Sequence, residues 1–128
     1  IDNFKQFNDT HGHLAGDEIL RALAQLINRI IRKIDLAARY GGEEFAVILP
    51  YTTTKGALIV AERLRQAVES YPFMYKTSLL SATLTISIGI ASFDSKIKTV
   101  EDLIERSDTA LYMAKREGKN RVCVFDKL

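Results

Sequence analysis

A chain of 128 residues with 47% hydrophobic and 27% charged residues has the composition of one compact domain with an ordinary core, which excludes a disordered chain. Its formal charge of +2, even with a pI near 8.7, is too small to argue for a nucleic-acid binder. No apolar run approaches the roughly 20 residues needed to span a bilayer, the opening "IDNFKQF" lacks the layout of a secretory signal, and the lone Cys123 excludes an internal disulfide, so a soluble domain in a reducing, cytoplasmic setting is expected.

In chain order, the first strong pattern starts at Asp17. Ile19, Leu20, Leu23, Leu26, Ile27, Ile30, Ile31 and Ile34 recur at steps of three and four, which predicts a helix with one core-facing stripe, ending near Asp35. "LAARY" and "EEFAVILP" then read as two short strands around Gly41-Gly42. A two-residue hairpin turn needs φ > 0 at both central positions, so the glycine pair is expected there, with Glu43 and Glu44 at the tip. "TTTKGALIVAERLRQAVESY" predicts a second helix with a threonine cap and a stripe of Ala57, Ile59 or Val60, Leu64 and Val68. "FMYKTSLLS" is ambiguous, while "ATLTISIGIASF" is β-branched and apolar enough for a central strand. A third helix follows, with Thr99 and Asp102 as a capping-box variant, Leu103, Ala110, Leu111 and Ala114 inside, and Gly118 as its stop. "RVCVF" closes the chain as a strand, with Cys123 a half-buried structural thiol. An α/β sandwich of this order wants a further strand before "IDNFKQF" as a central neighbour.

"GGEEF" after "ARY", preceded by "FKQFNDTHGHLAGDEIL" and followed by "ALYMAKREGKNRV", resembles the GGDEF family of diguanylate cyclases. The likeness runs over nearly the whole chain and rests on separated motifs in the same order. It implies an α+β sandwich with a ferredoxin-like βαββαβ core, related to nucleotidyl-cyclase and polymerase palm domains. It also implies a reaction in which two GTP molecules become cyclic di-GMP with release of two pyrophosphates.

Such a reaction needs a base for a 3′-hydroxyl, cations for the transferring phosphates and a divalent metal, Mg²⁺ or Mn²⁺. By resemblance, Glu43 is both base and metal ligand, Glu44 a further metal contributor, and Ile1 a ligand through its backbone carbonyl. Lys5 matches the lysine that stabilises the phosphates, and Lys115 and Lys119 match a basic phosphate-binding pair whose second member is often arginine. Asn8 and Asp17 match the guanine readers. A carboxylate accepts the N1–H and exocyclic amine of guanine together, which adenine does not offer. Without the family, Asn8 also fits a turn and Asp17 a helix N-terminal charge. His13 matches a position near the nucleotide, whereas His11 matches none, and two histidines with one distant cysteine make a poor zinc set. Gly41 and Gly42 let substrate lie against bare backbone.

Arg32, Lys33, Ile34 and Asp35 form an RxxD at the position of the family's inhibitory product site, with Arg63 as an additional arginine. The plain alternative is a surface ion pair between Arg32 and Asp35. The family's signature also carries a metal-binding aspartate immediately before the residue that is Ile1 here, so residues 1–128 are expected to form a single GGDEF domain lacking its first helix, most of its first strand and that ligand, with impaired activity. Asp2 matches the second acidic residue of that stretch.

Three classes of function follow. The first is a cyclase working as a homodimer, controlled by a sensor or receiver domain in its parent. The second is a non-catalytic receptor for GTP or cyclic di-GMP, which the intact "GGEEF" disfavours. The third, a ferredoxin-like DNA or RNA binder, has neither the charge nor the stacking aromatics. Whether the parent is membrane-anchored is outside what these residues determine.

Overall fold

The computed structural model describes residues 1–76, 78, 79 and 83–127. Two helices open the chain, α1 (Phe4–His11) and α2 (His13–Ile30), and the hairpin β1 (Leu36–Arg39) and β2 (Phe45–Ile48) follows. Next come α3 (Thr54–Ser70), the short pair β3 (Met74–Tyr75) and β4 (Ser78–Leu79), then β5 (Ile88–Ile90), α4 (Val100–Arg116), β6 (Val122–Val124) and a 3₁₀ turn at Phe125–Lys127. β1–β2 and β3–β4 are antiparallel and β5–β6 is parallel, making three two-stranded pieces among the described residues. No helix of the described residues is long and apolar enough to cross a membrane.

β5 and β6 form the centre of a sandwich. Ile90 and Val124 pack with Ala61 of α3, while Gly89, pointing the other way along the period-two strand, faces α4. A Cβ on Gly89 would lie 2.3 Å from both Leu111 N and Ser107 O, so only glycine lets the α4 backbone lie this close. The larger core gathers Phe4 and Phe7 of α1, Ile19 and Leu23 of α2, Val68 of α3, and Leu84 and Ile86.

Helix signals were legible where caps were strong. Thr53 accepts from Gly56 N at 3.1 Å, and Thr99 with Asp102 forms the full capping box. Leu64 and Val68 are buried as the stripe of α3 predicts, but Ile59 is 55% exposed and Ala61 takes its place in the core. Gly118 stops α4 with φ 124°.

Four expectations need correction. α1 was not anticipated: it starts at a left-handed Asn3 with no side-chain cap, and Gly12 at φ 90° divides it from α2. α2 ends at Ile30 rather than near Asp35, because Ile31 turns extended and the Asp35 carboxylate takes the Arg32 N–H at 2.7 Å, offering the backbone a turn in place of another helical bond. Ile34 is consequently 57% exposed. The glycine pair is not a two-residue turn: Arg39 pairs with Phe45, Tyr40 N donates to Glu44 O at 2.8 Å, and neither Gly41 nor Gly42 has positive φ. The segment expected as one long central strand pairs in a ladder only at Ile88–Ile90, although Leu84 and Ile86 are buried in alternation before it. The ambiguous segment supplies β3 and β4, with Thr77, Leu80 and Ser81 outside the described residues, as is Ala82 of the next one.

At the front, Asp2 N donates to Thr85 O at 3.0 Å and the Ile1 amino group to Glu43 O at 3.2 Å. These two residues therefore bridge the hairpin to the central segment. Gly89→Ala is expected to destabilise the fold by about 3 kcal/mol or more, because the new methyl meets helix backbone and not a movable side chain. A denaturant titration showing a loss below about 1 kcal/mol would refute this account of the β5–α4 contact.

Candidate functional site

The site is built around the hairpin tip. Arg39, which sequence reasoning passed over, latches it: Nε donates to Gly41 O and Gly42 O, both at 3.1 Å, and Nη2 donates to Gly42 O at 2.8 Å. These bonds hold the carbonyls inward and leave Glu43 and Glu44 exposed. Neither glycine has positive φ; a Cβ on Gly42 would meet nothing within 4 Å, so it leaves bare backbone facing open space, whereas a Cβ on Gly41 would lie 3.3 Å from Glu44 Oε2.

Ile1 lies against this tip. Asp2, Glu43, Glu44 and Lys115 all lie close enough to the Ile1 nitrogen to act on it electrostatically. Residues from the chain start, the hairpin and the last turn of α4 are thus within electrostatic reach of one point. Among the described residues, neither glutamate has a side-chain hydrogen bond or ion pair, which leaves both carboxylates available to a ligand.

Asp2 organises the floor. It is 6% exposed, and its carboxylate accepts from Thr85 Oγ1 at 2.8 Å, Ser87 Oγ at 2.6 Å and Asn120 N at 3.0 Å. Thr85 and Ser87 are one strand period apart, so both hydroxyls reach the same side. The bond to Asn120 secures two successive left-handed residues, Lys119 at φ 65° and Asn120 at φ 46°. Lys119 Nζ then donates to Asn3 Oδ1 at 2.6 Å, which carries this cation to the start of α1. The Asn120 side chain bonds Glu69 and accepts from Arg65 Nη1 at 2.9 Å, tying the same loop to α3.

The remaining predicted residues fall on the two opening helices or elsewhere. Lys5 is exposed on α1 and Asn8 half-buried on it; His13 begins α2 and Asp17 follows one turn later, both exposed. Asp17 lines a groove of about 500 Å³ between α2 and the hairpin, with Leu20, Ala24, Ile27, Arg39 and Phe45. His11 packs against Phe7 with ring centroids 4.6 Å apart and planes tilted by 34°. Burial first, and then Glu117, push the Cys123 thiol up, which disfavours its thiolate form.

The RxxD is not part of this cluster. Arg32 donates to Asp35 through Nε and Nη2, and Nη2 also reaches Pro50 O at 2.8 Å and Thr52 Oγ1 at 2.7 Å. Hydrogen bonding to Arg32 holds the Asp35 carboxyl below its usual range. The ion pair of the plain alternative therefore exists. Arg63 is exposed on α3, the helix that follows Thr52, and among the described residues it forms no hydrogen bond or ion pair with Arg32 or Asp35.

Residues 1–121 match the diguanylate cyclase GGDEF domain family. The chain belongs to the GGDEF family. It is 46% identical over 122 residues to diguanylate cyclase A of Treponema denticola, an alignment covering 95% of this chain and 32% of that protein. Among solved structures, the active GGEEF domain of a diguanylate cyclase from Vibrio cholerae superimposes with a TM-score of 0.89 at 38% identity, over 98% of this chain and 78% of that one. The GGDEF domain of DgcB from Caulobacter crescentus, in complex with c-di-GMP, gives 0.92 at 38% identity over 98% and 74%. The expected mixed α/β, palm-like fold is therefore correct. This GGDEF chain spans about a third of the length of the curated relative.

The Asp2 cluster makes a prediction about the domain. Asp2→Ala leaves three buried or half-buried donors without an acceptor and is expected to cost about 3 kcal/mol of stability. A denaturation midpoint indistinguishable from the parent would show that water replaces the carboxylate.

Proposed function

We propose that this GGDEF domain condenses two GTP molecules into cyclic di-GMP and two pyrophosphates. The observation that carries the reading is the meeting of an intact "GGEEF" tip, with both carboxylates unpartnered, against Ile1 and within reach of Lys115, in a chain whose motifs match cyclases throughout. Glu43 takes the proton of the 3′-hydroxyl as its oxygen attacks the α-phosphorus of the second nucleotide. The bond from that phosphorus to the β-phosphate oxygen breaks, and pyrophosphate leaves with the electron pair. A second transfer in the opposite sense closes the ring. Lys5, Lys115 and Lys119 hold the phosphates, with Lys119 already oriented by Asp2 through the 119–120 loop. Gly41 and Gly42 let ribose and phosphates approach backbone, Asn8 and Asp17 read guanine, and His13 flanks the nucleotide. Each half-site holds one GTP, so catalysis needs a homodimer, brought together in the parent by a sensor or receiver domain.

Mg²⁺ or Mn²⁺ fits the donor set. Among the described residues no group of three His, Cys, Asp or Glu side chains could hold a metal alone. Hard oxygens from Glu43, Glu44 and the Ile1 carbonyl suit an ion that binds through one or two carboxylates and completes its shell with phosphates and water. When bound, the ion supplies neutralisation of the charge that develops on the transferring phosphate.

The test is a GTP turnover assay with Mg²⁺ on the full-length protein, with the product identified by mass. Cyclic di-GMP is expected, and Glu43→Ala is expected to lower its rate on the order of 1000-fold while GTP still binds. Nucleotide binding without turnover by the parent protein would replace the cyclase with a receptor.

The RxxD is proposed as the inhibitory product site, with Arg32, Asp35 and Arg63 receiving cyclic di-GMP. Its support is the orientation of Arg32 toward the segment that enters α3. Arg32→Ala is expected to weaken inhibition by added cyclic di-GMP about tenfold or more, as loss of a charge-assisted contact does. Unchanged inhibition would leave the ion pair as a turn-stabilising element only.

A further inference from the structure

Among the described residues, Asn8 Oδ1 is the one buried side-chain oxygen or nitrogen with no hydrogen-bond partner. A buried carbonyl without a donor is costly, so its position must be imposed by shape. The shape comes from α2. A Cβ built on Gly16 would fall 1.9 Å from Asn8 Oδ1, 2.9 Å from Asn8 Cγ and 3.1 Å from Phe4 Cζ. Gly16 sits inside an α-helix with ordinary φ, so backbone freedom does not require glycine there. The missing side chain is a notch, and the amide head of Asn8 occupies it.

A close-fitting notch admits a carbonyl oxygen more readily than an NH₂ group with its two hydrogens. The amide consequently lies with oxygen inward and nitrogen outward. An outward NH₂ donates, which matches the O6 acceptor of guanine and mismatches the 6-amino donor of adenine. Gly16 is also the immediate neighbour of Asp17, so one turn of α2 seats one base reader and carries the other.

We infer that Gly16 is a positioning residue for nucleobase choice, holding the Asn8 amide donor-outward so that the site selects guanine over adenine. The inference rests on the reading of Asn8 and Asp17 as base contacts. A Cβ at Gly16 meets mainly the mobile end of Asn8 and not backbone, so the fold survives and the amide is displaced.

The experiment uses the full-length protein with 3′-deoxy-GTP and 3′-deoxy-ATP, which bind but lack the reacting hydroxyl, and with pyrophosphate as a probe of the phosphate contacts alone. Gly16→Ala is expected to weaken 3′-deoxy-GTP about tenfold or more and to narrow the preference over 3′-deoxy-ATP. Pyrophosphate affinity is expected to stay within about twofold, a split that general loosening of the helices would not produce. In an Asn8→Ala background, Gly16→Ala is expected to add less than about twofold, since the displaced group is already gone. Additive effects of the two substitutions, or an unchanged nucleobase preference in Gly16→Ala while Asn8→Ala loses it, would overturn the role of Gly16 alone. An Asn8→Ala protein with unaltered preference would remove the base-contact reading itself and the inference with it. Should Gly16→Ala fail to fold, the double variant decides: its folding supports the seat, and its failure refutes it.

Discussion

The carboxylate of Asp2 is the constraint on which the arrangement of this domain turns. It is almost fully buried, and it is held by hydroxyls of Thr85 and Ser87 and by the Asn120 amide. A charge in that position persists only because every acceptor direction used is met by a donor. The three donors come from two segments far apart in the chain, so satisfying one side chain fixes the start of the chain, the central segment and the loop after α4 relative to each other.

Function follows from what this anchoring leaves outside. Asp2 absorbs the polar demand of the interior, so Glu43 and Glu44 have no structural obligation and stand exposed at a tip whose carbonyls are occupied by Arg39. The cation that approaches from the other side, Lys119, sits in a left-handed pair of residues whose cost is offset by the Asp2 bond. The Glu43 and Glu44 carboxylates and the Lys115 ammonium come within electrostatic reach of Ile1 from separate elements, an arrangement that suits the proposed transfer of a nucleotidyl group. Arg32 and Asp35 show the opposite arrangement: each is the other's partner, which makes the pair a sound turn and leaves the guanidinium only partly free for a ligand.

Much of this was legible because it is local. The stripe of α2 from Ile19 to Ile27, the Thr53 and Thr99 caps and the place of the hairpin all depend on neighbours within a few residues. α1 escaped because eight residues with no cap and a left-handed Asn3 carry little local signal, and its helicity comes from burying Phe4 and Phe7 against α2. The reason for the glycine pair was half wrong for a related cause: turn type depends on strand register, and Arg39 pairing with Phe45 lengthens the connection.

The sequence by itself determined the three long helices and the place of the hairpin, which residues bear carboxylates and cations, and, through separated motifs in one order, the family. Only the tertiary structure decided that Asp2 is a buried hub, that Arg39 latches the tip, and that Gly16 makes room for Asn8. The physical reason is range: caps, periodicity and turn propensity act over a few residues, whereas a hydrogen bond from Asn120 to Asp2 or a contact between two helices depends on packing that places distant segments within a few ångströms.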